Sequence, residues 1–414
     1  MGFNFKPESD AKVQERLDET SSQLAQIAKE KMLKETSYKV MTTPPTDVLS
    51  VSAATTSYTY PLEHKAVNSS IVNSVFSYRN GSVAKASEFF PLDTYVVGNY
   101  ITKPSNPGTF TIEFLFAGSS FEIKEYGTAA KYRISVDSGN GYELATAGFQ
   151  SGASATGTAY LRKIDFTDFG VRKIKIEMYS YKFGGVIVNL TDTIAPIKKE
   201  FDDICVCLGD SYTEGTGANW LYDCFAHTIG KKLSLDMYAS GVGGTGYISV
   251  STGGKTNFIG RVATDLIGLA PKYAIIAGGI NDTSDGTSLK VAAKLLFSTI
   301  KTGSPNTTIF VVGNFYPKTP TAPELAKAEE LRIACSESGV AYIDVLNGKT
   351  YSADGTLIFT FAKSYIFGSG RVGTLTNDGN ADIMTSSDAT HPTQNGHDYL
   401  GARIANEIKR IITA

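Results

Sequence analysis

Cysteine is scarce in this sequence, with only four residues in a chain of 414. No two of them have C-x-x-C spacing, so neither a dithiol redox motif nor a zinc ribbon is predicted. Cys205 and Cys207 alternate, which places both side chains on one face of a strand. We therefore expect reduced, buried thiols at all four positions, which are Cys205, Cys207, Cys224 and Cys335.

The chain also lacks an excess of either charge and any long hydrophobic run. Its 39 Lys and Arg residues balance 41 Asp and Glu residues, and no basic run forms a phosphate-binding patch. No window approaches the roughly 18 apolar residues of a membrane span, and the first residues, MGFNFKPESDAKVQERLDE, have no apolar core of signal-peptide type. We expect no nucleic-acid or membrane partner, synthesis in a cytoplasm, and any release by a route other than a signal sequence.

The length of the chain suits two or three domains, and its composition is that of ordinary globular protein. In residues 1–44, apolar residues recur at spacings of four and three between about 8 and 36, which predicts a helix. The stripe is interrupted by Thr20 and is short for an isolated coiled coil. It is either a stalk that assembles a homo-oligomer or a helix packed on its own chain; its members are Val13, Leu17, Thr20, Leu24 and Ile27.

Short β-prone runs separated by Gly, Ser, Asn and Pro fill residues 45–199. In RKIKIEM, residues Ile174, Ile176 and Met178 alternate with charged ones, which is typical of a half-buried antiparallel strand. The alternation predicts that Lys175 and Glu177 face water. Eight or more such strands predict a β-sandwich or jelly roll.

Residues 200–414 change to short apolar strands that alternate with amphipathic helices. This pattern predicts an open α/β domain with a parallel sheet, whose ligands bind at the carboxyl ends of the strands. The predicted strands are DICVCLGDS, YAIIAGGIND, TIFVVGNFYP and VAYIDVL, and helices are expected near residues 218–232, 288–301, 323–338 and 394–412.

Three loops should meet at that edge of the sheet. Ser211 follows the first strand, the glycines of 241–244 follow the second, and Asn281 follows a later one. A serine hydroxyl is a weak nucleophile and needs a base that is itself oriented by a third group. His391 and Asp388, in the segment DATH before the last helix, are the best candidates for these two groups.

The remaining histidines do not fit such a role. His64 belongs to the β-region, and His227 and His397 fall in predicted helices, where a structural role is expected. Apart from Asp388 and His391, the only close pairing of a carboxylate with a histidine outside helices is Glu63 with His64. We therefore predict no metal site and no cofactor.

Four sequence blocks resemble those of the SGNH, or GDSL-type, hydrolase family. They are GDSYTEG at 209–215, SGVGGTGY at 240–247, GIND at 279–282 and DATH at 388–391. The resemblance implies a flavodoxin-like sheet, a triad of Ser211, Asp388 and His391, and no cofactor. It also implies an oxyanion hole formed by the backbone of Ser211 with Gly244 and Asn281.

The match has departures and ambiguities. Tyr212 replaces the leucine of the family's name, and Gly241 or Gly243 could be the donor in place of Gly244. Asp210 and Asp282 are expected to bind loop backbones. The serine lies outside a G-x-S-x-G elbow, which argues against an α/β-hydrolase.

Candidate substrate contacts come from one long segment and three aromatic residues. More than forty residues rich in Gly, Ser and Thr separate Asp344 from Asp388. A long loop of this kind is usually functional, and we expect it at the substrate cleft, although its apolar run could be a strand or an oligomer contact. Tyr247 and Trp220 are further candidates because aromatic faces suit sugar rings, with a packing role as the alternative for each. Tyr212 is expected to form part of the pocket wall.

A β-sandwich followed by an SGNH domain is similar to carbohydrate esterases, and the texture of the chain resembles that of deacetylating phage tail spikes. The resemblance implies an O-acetyl esterase of bacterial surface polysaccharide, virion-attached and acting outside the cell, as a homo-oligomer with a trimer favoured. One alternative is a lipase-like or thioesterase hydrolase of longer acyl esters. Another is a non-enzymatic glycan-binding receptor with a vestigial hydrolase domain.

Overall fold

A computed structural model describes most of the chain. The described residues are 39–50, 64–68, 75–81, 83–90, 93–98, 109–126, 130–146, 148–153, 159–197, 203–282, 287–317, 320–360 and 384–414. The N-terminal helix predicted between residues 8 and 36 lies outside these ranges.

Twelve strands that precede residue 200 form one antiparallel sheet. Along its main path the order is β4-β5-β11-β6-β10-β7-β8. The strands are β1 (Thr46–Ser50), β2 (His64–Asn68), β3 (Ser77–Arg79), β4 (Val83–Phe90), β5 (Asp93–Gly98), β6 (Thr109–Tyr126), β7 (Lys131–Asp137), β8 (Glu143–Leu144), β9 (Gln150–Ser151), β10 (Ala159–Tyr179), β11 (Lys182–Asn189) and β12 (Thr193–Ala195).

Two long strands, β6 and β10, run through the whole β-domain. Their pairing shifts register between Asp165 and Gly170, and the two halves of β6 have different further neighbours: β3 and β12 at one end, β11 at the other. A register shift of this kind bends a strand. The buried side chains of both halves form one hydrophobic core. The predicted antiparallel domain is confirmed, while jelly-roll connectivity stays a prediction.

The alternation in RKIKIEM is only partly as predicted. Ile174, Ile176 and Met178 are fully buried. Glu177 was expected to face water, but it is only 2% exposed. This expectation is wrong because Arg133 donates to Glu177 Oε2 at 2.6 Å, and a buried carboxylate persists where a cation pairs with it.

The second domain contains a seven-stranded sheet in the order β14-β13-β15-β16-β17-β18-β19. Its first five strands are parallel, and β18 and β19 are added antiparallel at one edge. The predicted α/β domain is thus confirmed. The strands are β13 (Ile204–Gly209), β14 (Asp236–Gly241), β15 (Tyr273–Ala277), β16 (Thr308–Val312), β17 (Ala341–Asp344), β18 (Lys349–Tyr351) and β19 (Leu357–Thr360).

Helices cover both faces of this sheet. Cys205 and Cys207 contribute to the core on one face, whereas Val206 and Leu208 contribute to the core on the other. All four cysteines are buried free thiols, as predicted. The helices are α1 (Ser211–Glu214), α2 (Phe225–Leu233), α3 (Phe258–Asp265), α4 (Thr287–Gly303), α5 (Ala322–Ser338) and α6 (Gln394–Thr413), with 3-10 turns at Leu221–Asp223 and Ile267–Leu269.

The stretch between Asp344 and Asp388 is not structureless where the structure describes it. Its first part forms β18 and β19, and the second of these includes Leu357 and Phe359 of the apolar run. Pairing with β17 gives these backbone groups hydrogen-bond partners that a loop would lack. Residues 361–383 lie outside the described ranges, so a contribution to the cleft stays a prediction. Among the described helices, none is long and apolar enough to cross a membrane.

A buried ionic cluster joins the two domains. Arg133 on β7 binds Glu177 on β10 and also donates to both carboxylate oxygens of Asp223, at 3.0 and 3.1 Å, in the second domain. Its guanidinium lies 4.4 Å from the ring centroid of Phe149, which in turn lies 4.8 Å from that of Trp220. The β-domain is therefore fixed against the segment that leads into α2.

Candidate active site

Ser211 is presented at the carboxyl end of β13. Gly209 ends the strand, and a Cβ there would lie 2.1 Å from Thr213 Oγ1, so only glycine fits. Asp210 caps α1, because its Oδ1 accepts a hydrogen bond from the Tyr212 N–H at 3.0 Å. Ser211 is the first helical residue, and none of the described residues accepts a hydrogen bond from its N–H.

The DATH segment forms a tight turn before α6. Asp388 Oδ1 accepts the backbone N–H groups of Thr390 and His391, both at 2.9 Å. Ala389 has a φ of 55°, a left-handed conformation that these local hydrogen bonds hold in place. Thr393 then caps α6. The turn fixes the backbone on either side of His391.

These two elements bring the predicted triad together. His391 Nε2 lies 2.8 Å from Ser211 Oγ, and His391 Nδ1 lies 2.6 Å from Asp388 Oδ2. Partial burial raises the pKa of Asp388, but hydrogen bonds from His391, Ser386 and the Thr390 backbone outweigh it and hold that pKa well below its usual range. The carboxylate is therefore ionised at neutral pH and can keep the proton of the imidazole on Nδ1, which leaves Nε2 free to accept the serine proton.

Tyr212 does not line the cleft as the sequence suggested. It is 2% exposed, and its ring is stacked on Phe315 with a centroid distance of 4.7 Å. Its hydroxyl donates to the carbonyl of Thr390 at 2.5 Å. The prediction of a substrate contact is wrong because the ring points into the protein, where it ties the nucleophile helix to the histidine loop.

For the other two aromatic candidates, the alternative to a substrate contact was a packing role. Tyr247 is 1% exposed and packs edge-on against Phe258 and Phe297, so it belongs to the core and cannot contact a substrate. Trp220 is half-buried at the domain boundary beside Phe149. Its role as a substrate contact stays a prediction.

The glycine-rich block offers one free donor rather than three. Gly241 lies in β14, and Gly243 donates its N–H to Glu214 Oε2 at 2.7 Å. Gly244 has a φ of 78°, and none of the described residues accepts a hydrogen bond from its N–H. A side chain at position 244 would lie 2.6 Å from Ser251 Oγ. Gly244 is therefore the best placed of these glycines to donate to an oxyanion, and its role as the donor stays a prediction.

The GIND block reaches the same loop from β15. Asn281 Nδ2 donates to the carbonyl of Thr245 at 2.9 Å, and the second proton of this amide is available to a ligand. Asp282 is fully buried and accepts the backbone N–H groups of Tyr247, Ile248 and Ser249 within 3.1 Å. It binds a loop backbone, as expected, and so holds the glycine block beside Asn281.

Asp210 is the most perturbed carboxyl next to the nucleophile. Burial raises its pKa to about 7, with a further contribution from the charge of Asp282 that the Tyr212 N–H and Arg261 oppose. Among the described residues, none donates a hydrogen bond to its Oδ2. Its observed role is the cap of α1, which is the backbone role predicted for it.

Two further histidines, His397 and His227, are buried and have a structural role. His397 Nδ1 accepts the Phe225 N–H at 3.2 Å, and its Nε2 donates to the Thr216 carbonyl at 3.0 Å. Burial lowers the pKa of His397 and that of His227 to about 4, so both rings are neutral at pH 7. Within the described ranges, no group of three or more His, Cys, Asp or Glu side chains is arranged to hold a metal ion.

Three charged residues at the site were not predicted from the sequence. Glu214 and Lys255 bind the backbone of Gly243, and the buried Arg261 donates to the carbonyls of Gly209 and Ser240, where two strands end. Glu214 lies three residues after Ser211 on α1, a spacing that places both on one side of a helix and could have indicated its role. No local pattern indicates Lys255 or Arg261, because their contacts depend on how distant loops fold.

Known families and solved structures include proteins that resemble this chain. Residues 207–399 match the model of the GDSL-like lipase/acylhydrolase family. No curated protein matches the chain. The resemblance to SGNH hydrolases and the assignment to the ester hydrolases are confirmed.

Solved structures resemble both domains at once. A family two carbohydrate esterase from Cellvibrio japonicus is 12% identical, with a TM-score of 0.57 over 84% of this chain and 99% of its own. A second such esterase, from Clostridium thermocellum in complex with cellohexaose, is 15% identical, with a TM-score of 0.54 over 82% and 99%. The salicylyl-acyltransferase SsfX3 of a tetracycline biosynthetic pathway is 13% identical, with a TM-score of 0.58 over 84% and 98%. At these identities the likeness concerns the fold.

Proposed function

We propose that this chain, an ester hydrolase whose residues 207–399 match the GDSL-like lipase/acylhydrolase family, removes acetyl groups from the hydroxyls of a polysaccharide. The observation that carries the proposal is the continuous hydrogen-bonded series from Ser211 through His391 to Asp388, with heavy-atom distances of 2.8 and 2.6 Å. A nucleophile, its base and the group that orients the base are thus within reach of one another.

In the acylation step, Ser211 Oγ attacks the acetyl carbonyl while His391 Nε2 takes the serine proton. The ionised Asp388 stabilises the imidazolium that forms, without taking its proton. His391 then gives that proton to the departing sugar oxygen, which leaves an acetyl group on Ser211. A water molecule activated by the same histidine releases acetate and restores the serine.

Both steps place negative charge on the carbonyl oxygen. The backbone N–H groups of Ser211 and Gly244 and the side chain of Asn281 are the donors proposed to bind it. Such a donor contributes about 3 kcal/mol to lowering the barrier when it is fixed before the reaction. Here Asp282 and Glu214 hold the glycine loop from two sides, so the donors need little rearrangement.

A polysaccharide substrate is supported by the two-domain likeness and by the domain boundary. The carbohydrate esterases share the fold over both domains, and one of them is in complex with cellohexaose. In this chain the half-buried Trp220 lies at the boundary of the domains, beside Phe149. An aromatic ring in this position suits the face of a sugar.

The setting we propose is a phage tail spike or fibre that acts outside the cell on bacterial surface polysaccharide, as a homotrimer. It is supported by the apolar stripe of the first residues and by the texture rich in Gly, Ser, Thr and Tyr. These features concern assembly and location, and the esterase proposal does not depend on them.

The test is hydrolysis of p-nitrophenyl acetate, butyrate and octanoate by the wild type, Ser211→Ala and the matched control Ser298→Ala. Acetate release from acetylated bacterial polysaccharides is measured beside it. We expect acetate-selective turnover that Ser211→Ala abolishes and Ser298→Ala leaves intact, since Ser298 lies on the exposed face of α4.

Other outcomes separate the rival functions. Activity retained in Ser211→Ala contradicts the nucleophile assignment. A preference for octanoate favours a lipase-like or thioesterase hydrolase. If a folded wild type turns over none of these esters, the chain is a glycan-binding protein with a vestigial hydrolase domain.

A further inference from the structure

Charged side chains bind both sides of the peptide backbone at Gly243. The Gly243 N–H donates to Glu214 Oε2 at 2.7 Å, and the Gly243 carbonyl accepts a hydrogen bond from Lys255 Nζ at 3.3 Å. This carbonyl belongs to the same peptide unit as the Gly244 N–H. The ammonium group is therefore bonded to one end of the peptide whose other end is the proposed oxyanion donor.

A tight turn brings Lys255 to this place. Gly253 and Gly254 have φ values of 76° and 77°, and a Cβ at either position would meet no atom within 4 Å. Conformation rather than space thus makes glycine the suitable residue at both positions. The turn closes with a backbone hydrogen bond from the Ser251 N–H to the Lys255 carbonyl. It places Ser251 over Gly244 and Lys255 over the carbonyl that precedes it.

A hydrogen bond to a carbonyl polarises its peptide unit and strengthens the N–H of the same unit as a donor. The effect is larger when the donor to the carbonyl is a cation. It favours the transition state over the ground state, because the ester carbonyl carries a full negative charge only as the tetrahedral intermediate forms. A cation placed in this way raises kcat more than it changes KM.

The negative charge of Glu214 increases the effect that a cation at the Gly243 carbonyl has on the stability of the oxyanion. Its carboxylate fixes the glycine loop and occupies the Gly243 N–H, which leaves the Gly244 N–H to the substrate. The same negative charge opposes an oxyanion nearby. A cation on the adjacent carbonyl offsets that repulsion while the geometry set by Glu214 is kept.

We propose that Lys255 is a positioning residue which, through the Gly243–Gly244 peptide, strengthens the Gly244 N–H as a donor to the oxyanion. The inference rests on the proposed esterase function. It assigns to a residue outside the four sequence blocks a role in the rate of the chemical step.

The experiment compares Lys255→Met, Lys255→Arg and the control Lys301→Met on p-nitrophenyl acetate, a neutral ester that a positive charge does not attract. Lys301 also donates to backbone carbonyls, those of Ser338 and Gly339, but at the far end of α4. A second measurement is the inhibition constant of an aryl trifluoromethyl ketone, which adds to Ser211 Oγ and places an oxyanion in the hole.

For Lys255→Met we expect kcat to fall about ten-fold, less than the loss of a direct oxyanion donor. KM should change by less than about two-fold, and the inhibition constant should rise by the factor by which kcat/KM falls. Lys255→Arg should recover most of the activity, and Lys301→Met should match the wild type. If Lys255→Met does not fold, Lys255→Gln replaces it with the same expectations.

Three results overturn the inference: an unchanged kcat in Lys255→Met, a loss confined to KM, or an inhibition constant that does not follow kcat/KM. If the wild type is active, Ser211→Ala is inactive and Lys255→Met equals the wild type, the inference alone fails. A wild type without turnover of any ester overturns the proposed function, and the inference with it.

Discussion

Replacing Arg133 by methionine tests how strongly the buried ionic cluster joins the two domains. The change keeps an unbranched side chain over Phe149 but removes the cation that binds Glu177 and Asp223. Breaking a buried ion pair by removing one partner costs about 3 to 5 kcal/mol, because the other charge stays buried without compensation. Lys231, 3.6 Å from Asp223, can offset part of the loss at that carboxylate. The charges of Lys175 and Lys231 also act on Glu177, so we expect a loss at the lower end of this range.

The destabilisation should depend on pH. In the wild type, burial raises the pKa of Glu177, but the charge of Arg133, together with the smaller effects of Lys175 and Lys231, outweighs it and lowers that pKa to about 2. A carboxyl whose folded pKa is lowered stabilises the protein above its unfolded pKa of about 4.3, and this contribution is lost as pH falls toward the folded value. In Arg133→Met the carboxyl takes up a proton at higher pH, which relieves its burial. The difference between the two proteins should therefore narrow as pH falls from 7 to about 3.

The measurement is urea unfolding followed by the emission of Trp220, which is the only tryptophan and lies at the domain boundary. Arg332→Met is the matched control, since its ion pair with Glu329 is exposed and should contribute less than about 1 kcal/mol. A loss for Arg133→Met no larger than that of the control, or a loss that is the same at pH 7 and pH 3, would refute this reasoning.

Three further predictions concern single elements. Tyr212→Phe keeps the ring stacked on Phe315 but removes the hydrogen bond to Thr390. We expect a loss of about 1 kcal/mol in unfolding free energy and a several-fold lower kcat on p-nitrophenyl acetate. An unchanged kcat would contradict the link between Tyr212 and the histidine loop. Burial lowers the pKa of His397 from 6.5 to about 4, so the wild type should lose up to about 3 kcal/mol as pH falls through that window. Between pH 6.5 and 4, the urea midpoint of the wild type should fall relative to that of His397→Gln. If the midpoints of the two proteins change with pH in the same way, His397 is not a buried neutral ring. Removing residues 1–36 spares the pairing of Lys39 and Met41 with Leu144. If the proposed homotrimer is assembled by the predicted N-terminal helix, light scattering should show monomers, and esterase activity should be retained. An unchanged mass would exclude this segment as the assembling element.

The helices and strands could be predicted where the pattern of apolar residues fits only one type of secondary structure. Apolar runs that end in Gly, Asn or Asp predicted the parallel strands β13, β15, β16 and β17, and amphipathic spacing predicted α4, α5 and α6 to within a few residues. The helix α3 was not predicted, because it has only eight residues and its buried Arg261 reads as a surface residue in the sequence. Glu177 was also wrongly expected at the surface, because the alternation of apolar and charged residues does not reveal that the distant Arg133 pairs with it.

The reactive groups of the candidate site could be predicted better than their surroundings. Ser211, Asp388 and His391 lie in short local motifs, and the structure brings them into one hydrogen-bonded series. The aromatic residues could not be placed in this way. Tyr212 faces inward onto Phe315 in the loop after β16, and Tyr247 packs against Phe258 of α3 and Phe297 of α4, and these contacts are distant in sequence. Lys255 reaches Gly243 through a turn with two left-handed glycines, a geometry that single-residue preferences do not specify.

The fixed attachment of the β-domain determines how the enzyme would meet a long substrate. A binding module on a flexible linker raises the local concentration of its chain and lets the catalytic domain sample many positions along it. Here Arg133 donates a hydrogen bond to Asp223. Gln394, three residues after His391, donates to the carbonyl of Asp223 and accepts from the Asn219 N–H. Any chain held by the β-domain would thus lie at a set distance and angle from Ser211. If the proposed function is correct, the acetyl groups removed should be spaced by the geometry of the protein rather than at random along the polymer.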